Sequence, residues 1–124
     1  MNRIITIGRE FGSGGRELGY RIAEKLQIAY YDQEIIPVRI FAYADMESRI
    51  KRCMERRPED ENLTEAQMKK RITEIDRNRA KYYAFFSGQK WGARENYDLL
   101  VNTSGADIKE LSSALCGYLE TLFE

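Results

Sequence analysis

The chain predicts an α/β protein built on a parallel sheet, and three observations predict it. Short apolar, β-branched runs alternate with segments of helical periodicity. The glycine-rich stretch GREFGSGG, residues 8 to 15, stands between the first run and the first helical segment. Later runs are separated by helix start signals, where antiparallel hairpins would show tight two-residue turns.

The elements follow in order. Ile4, Ile5 and Ile7 make a first strand that stops at Gly8. Leu18, Ile22 and Leu26 recur at four-residue spacing with Arg21, Glu24 and Lys25 between them, which places one apolar stripe on a helix. IAYYD, 28 to 32, reads as a second strand ending in a carboxylate, VRIFAYA, 38 to 44, as a third, and YDLLVNT, 97 to 103, as a fourth. Asp45 caps a helix carrying Met46, Ile50, Cys53 and Met54 that ends before Pro58, and Thr64 with Gln67 forms a capping box for a helix whose Met68, Ile72 and Ile75 share a face. Asp107, with Glu110 as box partner, opens a last helix that buries Leu111, Leu115, Leu119 and Leu122.

Composition narrows the function. The 124 residues make one domain. Twenty basic side chains balance twenty acidic ones, so no global field favours nucleic acid or anionic membrane, and any polyanion site is local. Histidine is absent, and Cys53 and Cys116 lie far apart without metal-ligand spacing. That argues against a zinc site and a disulfide framework, and no metal ligand is assigned. No stretch approaches the roughly 20 apolar residues of a membrane span. The expectation is a cytoplasmic protein with reduced thiols and with small-molecule nucleotides as partners, neither nucleic acid nor membrane; composition leaves the oligomeric state open.

The glycine stretch carries the chemistry. Between a strand and a helix, backbone N–H groups and the positive helix end converge, and glycines let the chain curl around an anion. Against the phosphate-loop pattern GxxxxGK[ST] aligned on Gly14, the lysine position holds Gly15, the hydroxyl position Arg16 and the opening position Arg9. The dinucleotide fingerprint fits no better: Gly12 and Gly14 begin it and Asp32 is suitably placed, but Glu17 occupies its third glycine. From the residues alone the stretch is either a phosphate cradle or a turn that is glycine-rich for steric reasons.

ITIGREFGSGGRELGYRIAEKL followed by YYDQEII, RIFAYADMESRIKR, IDRNRAKYY and YDLLVNTSG resembles, over nearly the whole chain and in order, the cytidylate kinase-like family of P-loop nucleoside monophosphate kinase relatives. The resemblance implies three layers, a parallel sheet of strand order 2-3-1-4-5 with helices on both faces, an acceptor-binding insert and a lid. It divides the domain into 1–36 (phosphate loop and first two strands), 37–57 (a strand and the lid helix), 58–96 (lid and base-reading helix) and 97–124 (last strand and C-terminal helix). In that order IAYYD and VRIFAYA are not neighbours, and the five residues 33–37 cannot cross the strands between them. One central strand and the acceptor insert are therefore expected to be missing between Ile36 and Pro37, in preference to a hairpin there.

The activity so implied is transfer of the ATP γ-phosphoryl, with Mg2+, to a pyrimidine monophosphate such as CMP or dCMP; the alternative is a nucleotide-binding sensor or regulator without turnover. A helical interaction module is a further option, and it requires that Gly12 to Gly15 bind no anion. Gly12, Ser13, Gly14, Gly15, Arg16 and Glu17 would hold the nucleotide, with Arg16 supplying the charge of the missing lysine. Glu17 either contacts the magnesium or simply sits where a helix favours an acid, and Asp32 is either a magnesium or acceptor-site carboxylate or a strand-end turn residue.

By the resemblance, Asp76 accepts from the cytosine amine and Arg79 holds the transferred phosphoryl, while Ile72 replaces an arginine expected one turn earlier. Without it, Asp76 and Arg79 read as a solvated helix pair. Arg49, Arg52, Arg56 and Arg57 fall off their helix's apolar stripe, leaving guanidiniums to neutralise phosphoryl charge. Arg52 is the lid candidate, with Arg16 and Arg79 as the other catalytic arginines. Tyr82, Tyr83, Phe85 and Phe86 are expected to anchor the lid helix where it rejoins the sheet, in preference to stacking a base, with Trp91 in the same packing.

Overall fold

The computed structural model describes residues 5–26, 38–58 and 61–122. Its elements are β1 (Ile5–Arg9), α1 (Gly15–Leu26), β2 (Val38–Tyr43), α2 (Met46–Arg56), α3 (Glu65–Ser87), β3 (Leu99–Asn102) and α4 (Ile108–Leu122), with a 3-10 turn at Arg94–Asn96. The three strands form a parallel sheet in the order β1-β2-β3, Ile5 opposite Val38 and Ile40 opposite Leu99. IAYYD with Asp32, and the Ile36–Pro37 junction, lie outside the described residues.

Strand alternation sorts the sheet into two unlike faces. Val38 and Ile40 point with Ile5, Ile7 and Leu99 into a core completed by Leu18, Ile22 and Leu26 of α1 and by Ile108, Cys116 and Leu119 of α4. Leu18, Ile40 and Leu119 are wholly shielded from solvent. At about 25 cal/mol per Å² of apolar surface this helix-on-sheet layer is the main source of stability. Phe41 points the other way, where Trp91 meets it edge-on at 5.2 Å and Tyr97 packs at 5.0 Å. On that face the expected second helical layer takes another form: among the described residues the strand is covered by the 91–97 segment, with α3 alongside an open cleft beside Gly8.

The capping signals hold. Asp45 accepts from the Ser48 N–H at 2.7 Å, and the Thr64–Gln67 box has both arms, at 3.2 and 2.9 Å. At α4 only half of the expected box forms: the Glu110 N–H donates to Asp107 at 3.2 Å, and no return bond from the Glu110 side chain is present among the described residues. Met68 and Ile72 are buried as the stripe predicts, Ile75 is half-buried, Leu111 and Leu115 are half-buried on the core, and the Leu122 side chain lies outside the described residues. Among the described residues no helix is long and apolar enough to cross a membrane.

Two expectations fail on this frame. The aromatic run does not anchor α3: Tyr82, Phe85 and Phe86 are 69 %, 82 % and 68 % exposed, and Phe86 meets the Tyr82 and Phe85 rings at 4.5 and 5.0 Å. Trp91 packs on Phe41 instead. Arg49 is not an available surface cation either; it is buried, because two carboxylates far away in sequence meet it.

Candidate functional site

The glycine turn lies at the carboxyl end of β1, where the chain must reverse into α1. Gly12 and Gly14 take φ of 81° and 80°, values that side chains disfavour, so glycine is required at both. Space is as tight as the backbone: a Cβ on Gly12 would stand 2.9 Å from Cys53 Sγ, and one on Gly15 2.6 Å from Arg9 Cβ. Ser13 is wholly buried, its hydroxyl accepting from the Gly15 N–H at 3.3 Å.

Two arginines of α2 hold this turn in place. Arg52 donates to the Ser13 carbonyl at 3.0 Å, to the Thr103 hydroxyl at 3.1 Å, and to the Thr103 and Ala106 carbonyls at 2.5 and 3.2 Å. Its guanidinium thus ties the glycine turn to the end of β3, a brace in place of the free lid arginine expected at that position. Arg49 pairs with Asp76 Oδ2 and lies 3.8 Å from Glu10, which itself accepts from the Ala44 N–H at 3.1 Å. Asp76 Oδ1 accepts from the Phe11 N–H at 2.9 Å, so both oxygens of the predicted base reader are engaged within the protein. Arg79 donates to the Arg9 carbonyl at 3.2 Å, its guanidinium 5.7 Å from the centre of the Phe11 ring. Sequence reasoning missed Arg49 and Glu10 as members of this cluster, for local periodicity carries no sign of a pair formed across the fold.

In front of the turn is a cleft of about 370 Å³ bordered by Gly12, Gly14 and Gly15. Seven arginines (Arg9, Arg16, Arg52, Arg56, Arg57, Arg71, Arg79) line it against two glutamates, Glu10 and Glu61. Arg16 is exposed at the start of α1, and neither it nor the Arg9 side chain has a hydrogen bond or ion pair among the described residues. Glu17 bridges Arg21 and Arg56, each at 2.7 Å. Burial, and then the neighbouring Arg56 and Arg9 respectively, push the Arg52 and Arg79 guanidiniums below their usual pKa; burial raises the Cys53 thiol, which also borders the cleft. Among the described residues no three His, Cys, Asp or Glu side chains are grouped to hold a metal ion.

A tight glycine turn opening onto a helix N-terminus, at the carboxyl end of a parallel sheet and faced by guanidiniums, defines an α/β protein with a locally concentrated positive cleft. The sequence profile of the cytidylate kinase-like family matches residues 4–38 and 36–105, and the chain belongs to that family. The two matched stretches meet at 36–38. The fold is also similar to the crystal structure of an uncharacterized protein from Eubacterium ventriosum ATCC 27560, with 21 % identity, 96 % of this chain and 99 % of that one covered, and a TM-score of 0.82. No curated protein matches the chain.

Proposed function

We propose that the chain is a nucleoside monophosphate kinase-like phosphotransferase, with ATP as donor and a pyrimidine monophosphate such as CMP or dCMP as acceptor. The observation that carries this is the glycine turn facing seven arginines, two of them without a partner among the described residues. Phosphoryl transfer needs in-line positioning and compensation of spreading negative charge more than it needs covalent chemistry from the protein. An acceptor phosphate oxygen attacks the γ-phosphorus, the bond from that phosphorus to the β,γ-bridging oxygen breaks, and ADP departs with the electron pair.

In this reading Gly12 to Gly15 cradle the donor phosphates at the α1 N-terminus. Arg16 supplies the charge a lysine would bring, as a planar fork in place of a point charge. Arg79 and Arg9 stand where the transferred group passes. An anion among these guanidiniums relieves their mutual repulsion, which is the physical reason a phosphate would bind. Among the described residues, Glu17 and Glu10 are engaged by arginines or a backbone N–H and are not grouped as a magnesium site. Mg2+ would arrive on the nucleotide's own oxygens, as it commonly does, and no step is assigned to it. The meeting of the two matched stretches at 36–38 supports a family segment missing there.

One observation favours a sensor without turnover. Asp76, Arg49 and Arg52 are all committed to internal contacts. The test is incubation of the full chain with ATP, Mg2+ and CMP or dCMP, with products separated by ion-exchange chromatography. The kinase yields CDP or dCDP and ADP, and Arg16→Ala slows it; the sensor binds ATP and yields neither.

A further inference from the structure

Gly8 lies inside β1 with an ordinary backbone, its φ outside the positive range that demands glycine. Glycine in a strand interior often marks close approach by another group. Here a Cβ would stand 3.0 Å from Phe41 Cδ1 and 3.4 Å from Tyr97 Cε1. Beside Gly8, on the face away from the α1–α4 layer, is an open cleft of about 460 Å³, within the range of small-molecule sites. Among the described residues it is bounded by Arg9, by Ile75, Asn78, Arg79 and Tyr82 of α3, and by Trp91.

These residues match one ligand chemistry. Trp91 and Tyr82 offer aromatic surface for a flat ring. The Asn78 amide, exposed and without a partner among the described residues, carries the donor and acceptor that read a base edge. Arg9 and Arg79 supply charge for an anion, and both also line the glycine-turn cleft, so the two clefts share the guanidiniums a transferred group would pass. Asp76, by contrast, is absent from this lining and has both oxygens engaged.

We infer that this cleft receives the acceptor, a pyrimidine nucleoside monophosphate whose ring lies among Trp91, Tyr82 and Asn78 and whose phosphate lies at Arg9 and Arg79. The assignment rests on the kinase reading and moves base recognition away from Asp76.

Trp91 is the single tryptophan, so its emission reports on the cleft directly. CMP titrated into the full chain, with free tryptophan as inner-filter control, quenches that emission saturably, while ribose 5-phosphate and inorganic phosphate leave it unchanged. Asn78→Ala, at an exposed helix position and checked by circular dichroism, raises the midpoint about tenfold, the worth of a well-made hydrogen bond. Tyr82→Phe keeps the quenching and Tyr82→Ala weakens it. The inference is overturned if CMP leaves Trp91 emission unchanged, if ribose 5-phosphate quenches equally, or if Asn78→Ala has no effect. Calorimetry with ATP separates the two readings. CMP phosphorylated while Trp91 stays silent keeps the kinase and sinks the cleft; ring-dependent quenching with no ATP bound keeps the cleft and sinks the kinase.

Discussion

The α1–α4 layer and the α2–α3 end of this molecule are held together by different physics. Against the sheet, Leu18, Ile22, Ile40 and Leu119 exclude water and contribute no charge. At the carboxyl end, Arg49, Arg52, Asp76 and Glu10 clasp a turn made of glycine with guanidinium–carboxylate and guanidinium–carbonyl contacts. Helix α1 belongs to both regions, its buried stripe to the scaffold and its N-terminus to the cleft. The lesson is that stability and function should separate by position along a single helix.

The largest stability effect is expected in the apolar layer. Leu18→Ala should cost about 3 to 4 kcal/mol, as a fully buried leucine truncated to alanine does, with little dependence on salt. Urea denaturation at low and high ionic strength measures both, and a strong salt dependence would blur the contrast between regions. Arg49→Ala comes next: removing one partner of a largely buried pair leaves Asp76 and Glu10 uncompensated, at about 3 kcal/mol. Because Asp76 also holds the Phe11 N–H, this variant should loosen the glycine turn, read as faster amide exchange at Phe11 and Gly12.

Arg16→Ala should do the opposite, leaving the urea midpoint in place while weakening ATP about tenfold, as loss of a charge-assisted contact predicts. Equal effects on folding and binding would collapse the distinction drawn along α1. Cys53 sharpens it further. Its thiol is half-buried with a raised pKa, so alkylation at neutral pH should be slow, faster as pH rises, and slower again when ATP fills the cleft.

The smallest effect lies in acid. Hydrogen bonding to Ser48, at the backbone first, holds the Asp45 carboxyl below its usual pKa. A lowered folded value means that its contribution is present above the ordinary carboxylate range and fades as pH falls through the lower one. Asp45→Asn, which keeps the cap without titrating, should flatten that slope in acid urea melts.

Much of the scaffold could be read from local pattern because its causes are local. Four-residue spacing places Leu18, Ile22 and Leu26 on one face, and Asp45 and Thr64 sit where a cap must sit. The glycine turn was legible for the same reason. Arg49 was not, since a helical wheel shows a guanidinium off the stripe as solvated, and only the meeting of Glu10 and Asp76, 66 residues apart in number (76 − 10), buries it. The aromatic run misled in the reverse sense: apolar composition predicts burial, but Tyr82, Phe85 and Phe86 stay mostly exposed and pack on one another.

Whether the cleft before the glycine turn takes a nucleotide's phosphates is decided most directly by calorimetric titration of Mg2+ and ATP into the full chain and into Arg16→Ala. One saturable site that weakens in the variant and with added salt is the predicted result. No heat at millimolar ATP, or binding indifferent to Arg16, would contradict the account.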